Sequence, residues 1–303
     1  MTRMALTETV QRLAAGGSIG FTPGSFARIG DVRPLLPKGT TVRVGWPSDK
    51  VTPDRLVATA VELRQQGMVP FVLFPARRIA GEAEGRDFLA RLVGEAGVTD
   101  IQLVAGDREP PAGPFRDSLD VLESGILEDA GLERVGVAVH PGGHPLADEA
   151  ELRRALRAKW AWSRRTGIPV RARSQVVFDA AAVPAWAHEV LWTEAPGMEL
   201  EIGIPGPVAA DTLVGYAERV GGEVALRELQ RGTGIDPGAP TGAFDAGAAV
   251  VTLARWLERE PDAPVVGLMV NQFGGIRPSA AWLTALMRGA FTLSGESLTT
   301  HAD

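Results

Sequence analysis

Short apolar runs and longer mixed stretches alternate along this chain, and residue spacing differs between the two. The runs SIGFTP (18–23), TVRVGWP (41–47), VPFVLFP (69–75), IQLVAGD (101–107), RVGVAVHP (134–141), VRARSQVVF (170–178), MELEIGIP (198–205) and PVVGLMVNQF (264–273) predict eight strands. Between them, TPDRLVATAVELRQQG and DEAELRRALRAKWAWSRRTG carry apolar residues at helical spacing and close on Gly67 and Gly167, as helices with a glycine cap do. Such alternation predicts a parallel sheet covered by helices. Eight units in 303 residues match a closed (β/α)8 TIM barrel better than an open doubly wound sheet, which more often has about five or six strands.

One stretch breaks the rhythm. Between Gly221 and Pro261, two helical pieces around Glu223–Gln230 and Ala246–Glu258 flank RGTGIDPGAPTGAFDAG. This predicts an enlarged seventh βα unit with an irregular loop, either functional or a surface excursion. No Ser/Pro/Gly-rich linker divides the chain. A single domain over 1–303 is therefore expected, with its core at about 15–292 and a polar, frayed tail from Leu293 to Asp303.

Composition narrows the class. A hydrophobic content of 45% sustains a large core. No apolar run reaches membrane-spanning length, and MTRMALTETVQRLAAGG carries an acid and polar groups where a signal peptide needs an apolar stretch. A cytoplasmic protein without membrane contact is expected. The absence of cysteine excludes disulfides, thiolate nucleophiles and cysteine-ligated metals. A net charge of −6 with dispersed Lys and Arg gives no basic stripe for nucleic acid, so a small-molecule ligand is favoured.

Barrel enzymes carry their chemistry at the carboxyl ends of the strands. The fourth run ends in Ala105-Gly106-Asp107, two small residues and a carboxylate that either meets a ligand or caps the next segment. The fifth ends in HPGGHP, which puts His140 and His144, two of four histidines, within five residues; a metal would need a third ligand such as Asp107, and turn geometry explains the pair equally well. In the sixth, Arg171, Arg173 and Gln175 share a face, and the seventh carries Glu199 and Glu201. Charges inside a barrel need partners, so these acids and bases are expected to pair and leave Gln175 for a ligand. The eighth ends in Asn271-Gln272-Phe273, amides that line the mouth. Six of the seven tryptophans fall in helical segments and read as core; Trp46, at a strand end, is the exception. The glycine spacings fit neither a Walker loop nor a dinucleotide fingerprint, and there is no Gly-x-Ser-x-Gly elbow or His-Glu-x-x-His helix.

Taken in order, these segments resemble methylenetetrahydrofolate reductases, (β/α)8 barrels that pass a hydride from NAD(P)H through FAD to methylenetetrahydrofolate. VAGD (104–107) is similar to that family's Leu-Arg-Gly-Asp, VAVHPGGHPLA (137–147) to Ala-Ala-Tyr-Pro-Glu-x-His-Pro-Glu-Ala, and LRAKW (156–160) to Leu-Lys-Arg-Lys-Val. SQVVFD (174–179) is similar to Thr-Gln-Phe-Phe-Phe-Asp and EIGIPGPV (201–208) to Ile-Pro-Gly-Ile-Leu-Pro-Val. The resemblance covers roughly 15–290. It implies a tetrahydrofolate ligand oriented by Asp107 and Gln175 with Phe178, Asn271 and Gln272. It also implies flavin contacts at Gly106, Asp107, His140, His144 and Ala147, with Lys159 near the phosphates. Departures accompany it: Gly20 stands where the family has its catalytic glutamate, and Phe71, Ala105, Ala155 and Ala158 stand where it has polar flavin contacts. A folate-dependent oxidoreductase with a depleted FAD site, or one using NAD(P)H directly, is the expectation, with Glu201 or Asp49 standing in as the acid. The alternatives are a tetrahydrofolate-dependent methyltransferase or demethylase component and a non-catalytic folate-binding subunit with a partner chain. The resemblance further implies a homo-oligomer.

Overall fold

The computed structural model describes residues 5–301. In chain order the helices and strands begin with α1 (Leu6–Ala15), β1 (Ser18–Phe21), α2 (Pro23–Ile29), β2 (Thr41–Val44), α3 (Pro53–Gln65) and β3 (Val69–Pro75). They continue with α4 (Glu82–Ala96), β4 (Asp100–Val104), α5 (Ser118–Glu123), β5 (Arg134–Val139), α6 (Glu149–Thr166), β6 (Val170–Ser174), α7 (Val183–Trp186) and α8 (Trp192–Glu194). The last part holds β7 (Glu199–Pro205), β8 (Val208–Ala209), α9 (Ala210–Thr233), β9 (Ala243–Phe244), α10 (Ala246–Arg259), β10 (Val265–Asn271), α11 (Ile276–Arg288), β11 (Phe291–Ser294) and β12 (Ser297–Thr300).

Eight parallel strands close into a barrel in the order β1-β10-β7-β6-β5-β4-β3-β2, with helices between them. This is the (β/α)8 fold expected from the apolar pattern. Local chemistry explains where the helices start. Thr22 and Thr52 accept the N–H groups of Ser25 and Arg55 at the starts of α2 and α3, and Pro23 and Pro53 follow each cap. Most strands end short of the apolar runs that announced them: the sixth stops at Ser174 rather than Phe178, and the fifth at Val139 rather than Pro141.

Backbone contacts group the chain into two compact units, and every boundary falls inside a strand or helix rather than in a linker. One comprises the chain up to Ile19, Val139–Arg153 and the chain from Ser174 onward. There α1 packs on α10, α11 and β10, burying Val10, Leu13 and Ala14 completely, so the core reaches back beyond residue 15. The seventh βα unit is enlarged as expected. Its first helix runs back to Ala210 and kinks at Gly222, where φ 53° and ψ −138° interrupt the helix. Beyond it the irregular segment returns as β9, antiparallel to β8. The expected frayed tail is corrected: β11 and β12 form an antiparallel hairpin, Leu298 is buried, and the Ser297 hydroxyl donates to Asp245, the cap of α10. Alternating Leu293 and Leu298 among polar residues reads as a tail only if the turn at Gly295 (φ 59°) is overlooked.

The other unit comprises Gly20–Ala138 and Arg154–Arg173. Its β2, β3, β4 and β5 pair in parallel. Trp46, singled out at a strand end, is part of this core: its indole N–H donates to the Val51 carbonyl and its ring packs edge-on against Phe88. No helix among the described residues is long and apolar enough to cross a membrane.

Candidate functional site

Asp107 lies just past β4. Gly106 precedes it at φ 88°, and a Cβ there would stand 3.0 Å from the Pro75 Cβ, so the glycine serves the turn geometry itself. The Asp107 carboxylate, largely exposed, accepts from Arg78 Nη2 at 2.6 Å, while the same buried guanidinium also bonds Asp49. Arg108 pairs with Asp49 as well, at 3.5 Å. Asp49, one expected stand-in acid, is thus taken up by two arginines. Glu201, the other, is buried and accepts from the Ser18 hydroxyl at 2.5 Å.

Inside the unit that holds Asp107, glycines make room for arginines. A Cβ at Gly20 would stand 2.6 Å from Arg43 Nη2, and one at Gly136 would stand 2.0 Å from Arg173 Nη1. Arg173 is buried, stacks over Phe71 at 4.1 Å and bonds Asp100 at 2.5 and 2.9 Å. Asp100 is a partner that the alternation of the sixth and seventh runs did not point to. The place where residue 20 would carry a side chain is therefore filled by a guanidinium. Lys159 is likewise buried within α6, and its ammonium donates to the Ala138 carbonyl at 3.1 Å. Burial pushes its pKa down to about 8. A phosphate contact needs an exposed ammonium, which this position does not offer.

A second group forms in the first unit. After β5, Gly143 N–H donates to the His140 carbonyl and the chain turns back, setting the His140 and His144 rings edge to face at 4.7 Å. The Leu146 N–H donates to His144 Nδ1 at 3.1 Å, and His144 bridges to Ala147. Burial pushes the His144 pKa down, and an accepting Nδ1 leaves the ring proton on Nε2. Gln175 follows β6 directly. Its backbone N–H donates to the Val139 carbonyl, and its Oε1 accepts from Val176 N–H at 3.0 Å; the side chain is exposed and borders the cleft. Phe178 is buried beneath it.

Glu228, on α9 beyond the Gly222 kink, completes this cleft and was not among the residues expected from the sequence. It is 5% exposed. Its Oε1 accepts two backbone N–H groups, from Phe178 at 2.9 Å and Asp179 at 3.2 Å. Burial pushes its pKa up, opposed by those two hydrogen bonds. A signal for it existed: Val224, Glu228 and Gly232 recur at i, i+4 and i+8, which sets one acid on the inward stripe of an amphipathic helix. His140, His144, Gln175, Phe178 and Glu228 line a narrow cavity of about 20 Å³, room for about one water. Phe178 and Asp179 also border a neighbouring cavity of about 240 Å³ beneath the seventh unit, walled by Gly232, Phe244 and Ala248 among others.

Asn271 is buried at the end of β10, where its amide donates to the Ile204 and Met269 carbonyls. Gln272 is half-buried beside Phe273, whose ring stacks on Tyr216 at 4.1 Å. Among the described residues no three His, Asp or Glu side chains gather as metal ligands would; the turn accounts for the pairing of the two histidines.

No family model matches the chain. Solved structures with a similar backbone include a mandelate racemase/muconate lactonizing enzyme from Bordetella bronchiseptica RB50, at TM-score 0.44 and 15% identity, covering 90% of this chain and 58% of that one. The chain thus spans little more than half of that structure's length. A thiamine phosphate pyrophosphorylase from Pyrococcus furiosus is similar at TM-score 0.40 and 12% identity, covering 91% and 95% of the two chains. A 3-dehydroquinate dehydratase from Aquifex aeolicus VF5 is similar at 0.37 and 11%, covering 71% and 95%. The barrel rests on its own strand order, and likenesses at this level carry nothing about ligand or reaction.

Proposed function

We propose that the chain is a folate-dependent one-carbon oxidoreductase of the methylenetetrahydrofolate reductase type, with its ligand entering the cleft of His140, His144, Gln175 and Phe178. One observation carries this reading. Two separate motifs, 137–147 and 174–179, contribute side chains to one cleft, at strand ends where barrels carry their active sites. Gln175 offers amide hydrogens, His144 an Nε2–H, and Phe178 an aromatic wall, a set suited to a flat ring with polar edges. A pterin is larger than about 20 Å³, so binding opens the cleft, at the Gly142–Pro145 turn or at the Gly222 kink.

The residues present do not fit FAD. Phe71 is covered by Arg173, Lys159 is bound to a backbone carbonyl, and Ala105, Ala155 and Ala158 offer no polar side-chain atom. On this reading hydride passes directly between a nicotinamide and the folate one-carbon unit. The guanidinium of Arg43 in the niche at Gly20 favours a second reading, in which a tetrahydrofolate-dependent methyl-transfer component works without hydride chemistry.

The test is an absorbance spectrum of the purified protein, followed by titration with FAD and with methyltetrahydrofolate while tryptophan fluorescence is recorded. Folate binding without flavin uptake is expected. A yellow protein bleached by methyltetrahydrofolate would restore the flavin route, and NADH oxidation with methylenetetrahydrofolate separates hydride transfer from methyl transfer. Failure to bind folate would sink both readings.

A further inference from the structure

We propose that Glu228 reads the ligand: a bound heterocycle presents a basic nitrogen to its free carboxyl oxygen, and the two share one proton. The assignment rests on the folate reading, which makes that nitrogen part of the folate.

Glu228 is held for such a role at one oxygen and left open at the other. Oε1 is fixed by the N–H groups of Phe178 and Asp179. No donor among the described residues reaches Oε2, which lies close against Gly142; a Cβ on that residue would stand 2.0 Å from it. A side chain at 142 would press on the Glu228 carboxyl and crowd the approach to Oε2. No cation among the described residues pairs directly with the carboxyl, and Arg231 lowers its pKa only from further off. Arg231, one turn further along α9, pairs instead with Asp179 at 2.8 Å. The titratable groups around Glu228 are His140 and His144, which border the same cleft, Asp179 in the segment that follows β6, and Arg231 on its own helix. His144 is held toward its neutral form by burial, and Asp179 opposes a negative charge on Glu228.

A buried carboxylate without a counter-ion is costly, and burial accordingly pushes the Glu228 carboxyl toward its neutral, proton-carrying form. As a basic nitrogen docks, the carboxyl O–H bond breaks and an N–H bond forms. The electron pair stays on the carboxylate oxygen, and no other reactant is consumed. The resulting ion pair gives the carboxylate a direct counter-charge, which Arg231, paired with Asp179, does not.

The experiment is a fluorescence titration with methyltetrahydrofolate from about pH 5.5 to 9 on the full-length protein, since affinity linked to one proton falls about tenfold per pH unit above the pKa that holds it. The wild-type protein is expected to show that fall above the Glu228 pKa. Glu228→Gln keeps a carbonyl for the two N–H donors and so the fold, which circular dichroism verifies; it is expected to bind at least about tenfold more weakly at the acid end and to lose the slope. Gly142→Ala, which crowds Oε2, is expected to weaken binding similarly. Glu223→Gln, exposed on the same helix and paired with Arg227, is expected to change neither affinity nor slope. A wild-type profile without slope, or Glu228→Gln with wild-type affinity and slope, overturns the assignment and leaves the folate reading standing. No binding by the wild type at any pH overturns the folate reading and the assignment with it.

Discussion

Single residues in this barrel are placed by the space their neighbours leave. Gly20 and Gly136 admit arginines, and Gly142 admits the Glu228 carboxyl. Lys159 shows what burial without a counter-ion does: its pKa falls from 10.5 to about 8, with desolvation the main cause. The unfolded chain keeps that proton to about pH 10.5, whereas the folded chain releases it near pH 8. Between those values the unfolded state binds more protons, so stability rises with pH and is lower below pH 8. At about 1.4 kcal/mol per unit, the gap is worth about 3 kcal/mol, of which the lost hydrogen bond to Ala138 would return about 1. Lys159→Met is therefore expected to raise the urea midpoint at pH 7, with the difference from wild type shrinking toward pH 10.5. A midpoint lowered at every pH would mean that the ammonium is stabilising where it lies.

Elements of the seventh unit carry the features least legible in the apolar pattern. Gly222 splits α9 into a half bearing Tyr216 and Val220 and a half bearing Val224 and Glu228, and residues of both halves line the cleft. A φ of 53° with ψ −138° is open to glycine but strained for other residues, at about 1–3 kcal/mol. Gly222→Ala is expected to cost that much in urea unfolding and to weaken folate binding more than a surface substitution such as Glu223→Gln does; equal effects would mean the kink is incidental. The C-terminal hairpin is a structural element rather than a tail. Leu298 is buried against α10, and Leu298→Ala is expected to cost about 2 kcal/mol or more, read as a lower thermal midpoint, whereas a frayed segment would tolerate it.

At the scale of the whole molecule, strand number, direction and order of succession were readable from eight β-rich runs separated by helical ones. The runs did not reveal where strands stop, because Gln175–Phe178 and His140–Pro141 are as apolar or as extended in sequence as the strands they follow. Beyond β6, Gln175 and Val177 still donate to backbone carbonyls, whereas Val176 and Phe178 donate to the side chains of Gln175 and Glu228. His140, His144 and Gln175 could be singled out because they are polar groups at strand ends. Glu228 could not be found by that rule, since it arrives from a helix, and its partner Gly142 looks like an ordinary turn glycine. Asp107 and Lys159 stood out for their motifs, yet their packing gives the first to Arg78 and the second to a carbonyl. Equilibrium titration of wild type and Gln175→Ala with methyltetrahydrofolate decides whether this cleft holds folate. Saturable binding by the wild type is expected, with at least about tenfold weaker binding by Gln175→Ala and no change in either when FAD is added. Absence of saturation, or equal affinity for the two proteins, would contradict folate binding in this cleft.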